Sequence, residues 1–239
     1  MKKIQKVCVV APTWRRPLIA TLFCQQLVRW RKYIFNNEIP IDLRAFIVGS
    51  EVDESQNMVE YAFRGTPGFH YTEFPNQPLG RKFNAGVKMA QTIGADYVMI
   101  LGDDAFCLPT VFNDLALAFS DGVKYIGCRD LYSWDYAMGF AHYWPGYKGK
   151  REGEPIGSGR VIHSSLLDEF DWLPYDDLKN KNLDYSMTQR LGEMADLRLL
   201  DMGLDHMMTT VKGDNNITDM YKFEGVVPVE THIFYELFN

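Results

Sequence analysis

Short apolar runs alternate with helix-like patterns through the first 128 residues of the chain. The runs predict strands at 7–11, 44–48, 69–74, 97–101 and 123–127. Between them, amphipathic patterns predict helices, one beginning at Pro17 and another spanning 80–93. Such alternation predicts an α/β fold with a mostly parallel central sheet and helices on both faces. Because ligands of these sheets bind beyond the carboxyl ends of the strands, the residues that follow the apolar runs are the first candidates for a site.

The second half of the chain has a different pattern. Residues 129–160 carry seven aromatic side chains among glycines and prolines, which predicts loops or a hairpin. A helical pattern returns at 183–194, and the chain beyond 205 is polar and then irregular. No internal repeat or low-complexity linker divides the sequence, so we expect a single domain spanning residues 1–239.

Composition narrows the classes of function. A net charge of −6 disfavours a broad duplex-binding face, which needs clustered Lys and Arg. The four cysteines are far apart and three lie in or beside apolar runs, which predicts buried thiols in a reducing compartment. No run approaches the roughly 18 to 20 apolar residues of a membrane span, and the apolar run near the N-terminus is too short for a signal peptide. We therefore expect a soluble cytoplasmic protein without a membrane span.

Two adjacent carboxylates, Asp103 and Asp104, directly follow the most apolar predicted strand. Burying both at a sheet edge is costly unless a cation or hydrogen-bond donors neutralise them. A divalent cation that bridges to substrate phosphates is a common solution. Alternatively, one Asp caps the helix near Pro109 and the other is solvated. The pair is a candidate metal site.

A basic pair, Arg81 and Lys82, falls in the first turn of the helix predicted at 80–93. Cations at this position oppose the helix dipole, which makes more sense if they face an anion. The alternative is an exposed basic pair without a ligand.

Asp184 lies in the first turn of the helix predicted at 183–194, where a carboxylate is favoured for its interaction with the dipole. Position alone therefore favours a cap over a catalytic role. His206 stands among Leu204, Met207 and Met208, a setting more typical of a core histidine than of a ligand.

Three common motifs are absent from the sequence. It has no G-x-x-x-x-G-K-[ST] phosphate loop and no G-x-G-x-x-G after the first predicted strand. Gly157-Ser158-Gly159 has the wrong frame for a G-x-S-x-G nucleophile elbow.

Taken in order, these segments resemble the family-2 type of glycosyltransferase with the GT-A fold. The matching elements are 11–16 (strand end with Pro-Thr and Arg), 76–90 (the Asn…Gly element, with Lys82 and Asn84), Asp103-Asp104 (the D-x-D region), 157–172 (the acceptor side), 183–191 (the Asp…Arg-Leu element) and His206 (a late metal-binding histidine). The chain departs from the pattern at Gly102, at Leu183 and at Gly49-Ser50-Glu51, where the family usually places an Asp that reads uracil.

The resemblance implies an inverting, Rossmann-related GT-A enzyme that uses a nucleotide-sugar donor, with UDP the expected nucleotide. It implies a nucleotide-sugar-binding half at 1–128 and an acceptor-binding half at 129–239. Asp184 is implied as the general base, and Asp103, Asp104 and His206 as ligands of a divalent metal, Mn²⁺ or Mg²⁺. The implied donor-binding residues are Pro12, Thr13, Arg15, Glu51, Lys82, Asn84 and Asp103.

The acceptor hydroxyl is left open by the sequence. A glycan is expected by family resemblance, and a hydroxymethylated DNA base of the bacteriophage type is the second choice. The aromatic segment at 132–147 is either an acceptor platform or a packed hairpin. Two other classes stay possible at this point: a nucleotidyltransferase, and a non-catalytic binder of sugar nucleotides.

Overall fold

The computed structural model describes residues 3–50, 54–191, 196–212, 223–234 and 237. The helices are α1 (Pro17–Asn36), α2 (Ser55–Ala62), α3 (Leu79–Thr92), α4 (Val111–Ser120), α5 (Ser164–Asp168), α6 (Leu183–Leu191) and α7 (Gly203–His206). The strands are β1 (Gln5–Pro12), β2 (Ile41–Gly49), β3 (Phe69–Glu73), β4 (Tyr97–Ile100), β5 (Ala105–Phe106), β6 (Tyr125–Cys128), β7 (Leu131–Asp135), β8 (Phe140–Trp144), β9 (Arg160–His163), β10 (Leu197–Leu200), β11 (Thr209–Lys212) and β12 (Val227–Pro228).

Seven strands form the central sheet in the order β10-β6-β9-β4-β1-β2-β3. β1 runs parallel to both β2 and β4, β2 runs parallel to β3, and β6 runs parallel to β10. β9 is antiparallel to β4 on one side and to β6 on the other. The prediction of a mostly parallel sheet is confirmed, and the antiparallel β9 is an addition that the sequence pattern did not predict.

Alternate residues of β1 enter two different cores, one on each face of the sheet. Val7 and Val9 pack with α1, α2 and α4, whereas Cys8 and Val10 pack with α3, α5 and α6. This confirms that helices cover both faces. α3 approaches the sheet closely at Gly86, where a Cβ atom would lie 2.5 Å from Val10. Close packing of α3 fixes its first turn beside the carboxyl ends of β1 and β2.

A second sheet lies in the order β12-β8-β7-β11-β5. β7 and β8 form the hairpin predicted in 129–160. β11 pairs with β5, which begins directly after Asp104, and the prediction of an irregular tail is therefore wrong at 209–212. Only two β11 residues pair with β5 and four with β7, so tertiary pairing rather than a long strand pattern defines this element.

Several element boundaries differ from the prediction. α4 begins at Val111 rather than at Pro109, and α6 ends at Leu191, with 192–195 outside the described residues. α2 was not predicted, because only Ser55 and Val59 of its eight residues are buried and the apolar pattern is weak. In the described part of the chain, no helix has the length and apolar character needed to cross a membrane.

Candidate functional site

Asp103 and Asp104 lie in the turn between β4 and β5, at the carboxyl edge of the central sheet. Asp103 is completely buried, accepts a hydrogen bond of 2.7 Å from the Thr13 hydroxyl and forms an ion pair with Arg16. Asp104 Oδ2 lies 3.4 Å from Arg16 Nη1 and 3.4 Å from Lys212 Nζ. Two cationic side chains, from the loop after β1 and from the end of β11, therefore surround the aspartate pair.

The two aspartates differ in their tendency to ionise. Desolvation by burial, together with the negative charge of Asp104, raises the pKa of Asp103 to about 7. The charge of Arg16 and the hydrogen bond from Thr13 act in the opposite direction. Burial also acts to raise the pKa of Asp104, but Lys212 and Arg16 outweigh it and hold that pKa below its usual value. Asp104 is therefore the member of the pair that carries the negative charge most securely.

Arg16, not Arg15, is the arginine of the first strand end that reaches the aspartates. Arg15 has a φ of 53° and is exposed, with its guanidinium 4.9 Å from the centroid of the Trp14 ring. This left-handed residue turns the chain, so that the next side chain points to the sheet edge. Thr13, predicted to bind the donor, does lie at this edge, together with Pro12 at the end of β1.

Lys82 lies behind the site rather than facing an open pocket. Its side chain is completely buried, and its ammonium donates to Thr13 O at 2.6 Å, Ser50 Oγ at 2.7 Å and Asn76 Oδ1 at 3.1 Å. These acceptors follow β1, β2 and β3 along the chain. The lysine predicted to face donor phosphates therefore joins three strand-end loops.

Asn84, also predicted to bind the donor, holds a different loop. Its amide nitrogen donates to Tyr175 O at 2.9 Å and to Asp177 Oδ1 at 2.7 Å, and its oxygen accepts from Tyr175 N at 3.1 Å. These bonds fix the 175–177 segment against α3. Glu51, the remaining predicted donor contact, lies outside the described residues.

Asp184 is in the first turn of α6, with 30% of its side chain exposed. Its Oδ2 accepts a 2.8 Å hydrogen bond from the Tyr147 hydroxyl and lies 3.6 Å from Arg151 Nη2. Burial acts to raise the pKa of Asp184, but the Tyr147 bond, the charge of Arg160, the Tyr185 backbone N–H and the charge of Arg151 hold it below its usual value. The carboxylate is therefore ionised, partly open and in contact with side chains beyond its own helix.

Arg160 connects Asp184 to the strand that carries the aspartate pair. The Arg160 side chain is completely buried, and its Nη1 donates to Asp184 O and to Thr188 Oγ1, both at 3.0 Å. Its backbone pairs with Ile100 across β9 and β4, three residues before Asp103. The candidate base and the aspartate pair therefore belong to one edge of the sheet.

His206 is not brought to the aspartates. Its Nε2 lies 2.8 Å from Asp114 Oδ2 and its Nδ1 lies 3.1 Å from Thr110 Oγ1, because the short helix α7 packs against the start of α4. Among the described residues, no group of three His, Cys, Asp or Glu side chains is arranged to hold a metal ion. The three metal ligands implied by the resemblance thus do not form one group in this structure.

The remaining question is whether the aspartate pair alone fits a divalent cation. Mg²⁺ and similar ions are commonly held by one or two carboxylates, with water and substrate phosphate oxygens completing the shell. Asp104, whose cationic neighbours are 3.4 Å away, fits such a ligand, whereas Asp103 is engaged by Thr13 and Arg16. The residues therefore fit a cation shared with a diphosphate and do not fit an all-protein cage.

The aromatic segment contains both core and site residues. Trp144 is buried and contacts the Tyr147 ring edge to face, with 4.8 Å between centroids. Tyr136 and Phe140, at the tip of the hairpin, are about half exposed. Tyr147 alone of these four contacts a predicted site residue, Asp184.

Residues 45–168 match the model of the glycosyl transferase family 2. This match covers more than half of the chain. The chain belongs to glycosyl transferase family 2. The resemblance inferred from the sequence is confirmed, as is the expectation that the chain is a glycosyltransferase.

Solved structures support the same fold for this family 2 glycosyltransferase. The crystal structure of S. aureus TarS 1-349 is similar with a TM-score of 0.56 and 12% identity, over 88% of this chain and 59% of that one. The same protein in complex with UDP-GlcNAc gives a TM-score of 0.54 and 12% identity, over 92% of this chain and 61% of that one. The chain thus spans about three fifths of the TarS chain. No curated protein sequence matches it.

Four residues that contact the predicted site carboxylates were not chosen as site residues from the sequence: Arg16, Tyr147, Arg151 and Lys212. Arg16 was part of the motif, but the motif gives no reason to prefer it over Arg15. Tyr147 and Arg151 lie about 35 residues before Asp184 in the sequence, and Lys212 lies on β11, which was not predicted. Sequence spacing carries no signal for such long-range contacts.

Proposed function

We propose that this family 2 enzyme transfers a sugar from a UDP-linked donor to a hydroxyl of a glycan acceptor, with inversion at the anomeric carbon. The observation that carries the proposal is the position of an ionised, partly exposed Asp184 on the same sheet edge as the Asp103–Asp104 pair. Support for the uridine nucleotide comes from the complex of the similar TarS structure with UDP-GlcNAc.

In the proposed reaction, Asp184 accepts the proton of the acceptor hydroxyl. The acceptor oxygen bonds to the anomeric carbon, and the bond between that carbon and the diphosphate oxygen breaks. Positioned general bases contribute about 10²–10⁴-fold in rate. The carboxylate is ionised at neutral pH, as a proton acceptor must be, and the Tyr147 hydrogen bond holds one of its oxygens.

The aspartate pair and its cations form the proposed diphosphate side. A divalent cation, Mn²⁺ or Mg²⁺, would be held by Asp104 with Asp103 beside it, and would neutralise charge on the leaving diphosphate. Arg16 and Lys212 contribute positive charge at the same place, since each lies 3.4 Å from Asp104 Oδ2. Electrostatic stabilisation of a leaving group is commonly the largest catalytic contribution of such sites.

The predicted donor residues divide into two roles in this proposal. Pro12 and Thr13 are buried at the end of β1, where Thr13 supports the donor side by its hydrogen bond to Asp103. Lys82 and Asn84 act from behind, by holding the loops that follow β1, β2 and β3 and the 175–177 segment. In the same proposal, residues 1–128 form the donor half and residues 129–239 the acceptor half, which contains Asp184.

A donor-hydrolysis screen tests the proposal. The chain is incubated with UDP-, GDP-, dTDP- and CMP-linked sugars in Mn²⁺, Mg²⁺ or EDTA, and nucleotide release is measured. We expect release from UDP-sugars, dependent on the metal, and faster release when the correct acceptor is present. An acceptor panel of glycans and of duplex DNA with hydroxymethylated bases then separates the two acceptor classes. Release from no donor under any metal condition would contradict the proposal.

Asp121→Asn is a suitable control variant for the screen. Asp121 follows α4 and pairs with Arg198 on the surface. The last residue of α4, Ser120, lines a surface pocket with Gln5 at the opposite, amino end of β1. A substitution there removes one carboxylate without touching the site.

A further inference from the structure

The side chain of Asp184 is contacted by a segment that precedes it by some 35 residues. Tyr147 lies three residues after the end of β8, and Arg151 ends a 3₁₀ turn at Gly149–Arg151. Both reach Oδ2 of the same carboxylate, Tyr147 with a 2.8 Å hydrogen bond and Arg151 at 3.6 Å. The contact therefore links the loop after the aromatic hairpin to the first turn of α6.

The two contacting residues are themselves held in place. The Arg151 guanidinium lies 3.6 Å from the centroid of the Tyr147 ring, a cation–π distance, and its Nε donates to Glu154 Oε2 at 2.9 Å. The Tyr147 ring rests edge-on against the buried Trp144. A tyrosine with one face on a guanidinium and an edge on a core tryptophan has little freedom to move its hydroxyl.

We propose that Tyr147 and Arg151 are positioning residues for the general base: Tyr147 fixes Oδ2 of Asp184 so that Oδ1 meets the acceptor hydroxyl, and Arg151 fixes the tyrosine. The inference rests on the proposed function of Asp184. Neither residue needs to touch the substrate. The hydroxyl donates to the ionised form of the carboxylate, which both orients it and keeps it deprotonated.

The charges around Asp184 support this arrangement. On α6 itself the Tyr185 N–H donates to the carboxylate, and from β9 the buried Arg160 adds positive charge. Arg151, from the loop, adds further positive charge, although it also pairs with Glu154. The charge of Asp184 also acts on the phenols of Tyr125 and Tyr175, but burial raises the pKa of each, so both are neutral. Burial raises the pKa of Tyr147 well above the usual range, and it therefore stays a donor at all relevant pH values.

Tyr147→Phe is the decisive variant, because it deletes one hydroxyl and preserves the ring on which Arg151 stacks. Losing a hydrogen bond to the charged form raises the pKa of Asp184 by roughly one pH unit, since such a bond is worth about 1.5 kcal/mol. The loss therefore grows as pH falls, because wild type retains an ionised Asp184 to lower pH than the variant does. Tyr143→Phe, on β8, is the matched control, with its ring against Tyr132.

Two measurements are made on wild type and on each variant. The first is the carboxyl titration of Asp184 by NMR of protein labelled with ¹³C at the aspartate carboxyl carbons, assigned with Asp184→Asn, which needs no ligand. The second is the pH dependence of kcat and KM for hydrolysis of UDP-GlcNAc. For Tyr147→Phe we expect the Asp184 titration and the acid limb of kcat to move up by roughly one pH unit, with donor KM unchanged. At neutral pH, where Asp184 is ionised in both proteins, we expect kcat to fall about tenfold because Oδ1 is no longer held toward the attacking hydroxyl.

The outcomes separate this inference from the function on which it rests. If Asp184→Asn hydrolyses the donor as wild type does, Asp184 is not the base and both proposals fail. If Asp184→Asn is inactive but Tyr147→Phe titrates and hydrolyses like Tyr143→Phe, only the positioning inference fails. A loss of thermal stability in Tyr147→Phe with an unmoved Asp184 titration would show a structural tyrosine and would also overturn the inference.

Discussion

The Asp103–Asp104 pair and Asp184 lie on one sheet edge but are stabilised in opposite ways. The pair is enclosed, and both burial and the charge of Asp104 disfavour the ionised form of Asp103, whose pKa is therefore raised to about 7. Asp184 stands alone, is 30% exposed and is surrounded by donors that favour its ionised form. Charge at the pair is thus balanced by ion pairs with cations, whereas charge at Asp184 is maintained first by the Tyr147 hydrogen bond, with help from the charges of Arg160 and Arg151.

This difference suggests two kinds of work. The aspartate pair, whose neighbours are Arg16 and Lys212, is suited to exchanging these cationic side chains for a metal ion when a diphosphate binds. A single ionised carboxylate with one oxygen fixed and the other open is suited to taking one proton at neutral pH. The following substitutions test whether nucleotide binding depends on the aspartate pair and proton transfer depends on Asp184.

The largest effect is expected from Asp184→Asn. Asparagine keeps the size of the side chain and the capping ability of the first turn, but it cannot accept a proton. We expect sugar transfer, or donor hydrolysis in its place, to fall at least about 100-fold, while the affinity for UDP and the melting temperature stay near wild type. Asp121→Asn should behave as wild type. Near wild-type transfer by Asp184→Asn would direct the search for the base to Asp168 or Glu169.

Lys82→Met is expected to reduce stability more than donor binding. Methionine fills much of the space but leaves Thr13 O, Ser50 Oγ and Asn76 Oδ1 without the ammonium that they share. Unsatisfied buried groups cost about 1–3 kcal/mol, so we expect a loss of about 2 kcal/mol in the free energy of unfolding. In a chain of this length that lowers Tm by roughly 4 to 8 °C.

Arg81→Met is the matched control for Lys82→Met, because Arg81 is the exposed neighbour in the same helical turn. Calorimetric UDP affinity and thermal melting are measured on both variants. Reduced UDP affinity with unchanged melting in Lys82→Met would instead place the lysine among the direct donor contacts.

Asp104→Asn is expected to weaken metal-dependent UDP binding by at least about tenfold, the effect seen even for outer-shell partners of metal ligands. Calorimetry with UDP in Mn²⁺ and in EDTA measures it. Wild type should lose affinity in EDTA, whereas the variant should bind equally weakly in both. Equal affinity of wild type in Mn²⁺ and EDTA would show that Arg16 and Lys212, rather than a metal, neutralise the diphosphate.

The sheet was more predictable than the site because its signal is local. Apolar runs such as 7–11 and 97–101 correspond to β1 and β4, since burial on both faces demands nearly continuous apolar residues. β9, which pairs between β4 and β6, is only four residues long and follows a glycine-rich turn, so its pattern is too short to read. Its register nevertheless connects Arg160, and through it Asp184, to the aspartate pair.

The meeting of candidate residues at the sheet edge was predictable where an unusual residue type follows a strand, as with Asp103 and Thr13. It was not predictable where a contact crosses the chain. Nothing in the sequence says that Lys82 turns inward to three loop acceptors, or that Tyr147 meets Asp184. A helix position restricts the direction of a side chain, but the packing of distant segments decides its partner.

The smallest effect is expected from His206→Gln, which tests whether the aspartate pair has a third ligand. In the structure both ring nitrogens are engaged, with Asp114 Oδ2 at 2.8 Å and Thr110 Oγ1 at 3.1 Å, so that a role at the pair would require α7 to release α4. Glutamine keeps a polar group near both partners, and we expect only a slight loss of stability, on the order of 0.5–1 kcal/mol. The Mn²⁺ dependence of UDP binding should stay within about twofold of wild type, an energy difference smaller than that of one net hydrogen bond. The same calorimetric titration of Asp104→Asn serves as the reference, because it must detect the tenfold loss of affinity expected for that variant. A loss of affinity in His206→Gln as large as in Asp104→Asn would mean that the histidine leaves Asp114 and joins the aspartates when metal and nucleotide bind. The site would then hold its cation with three protein ligands rather than with the pair alone.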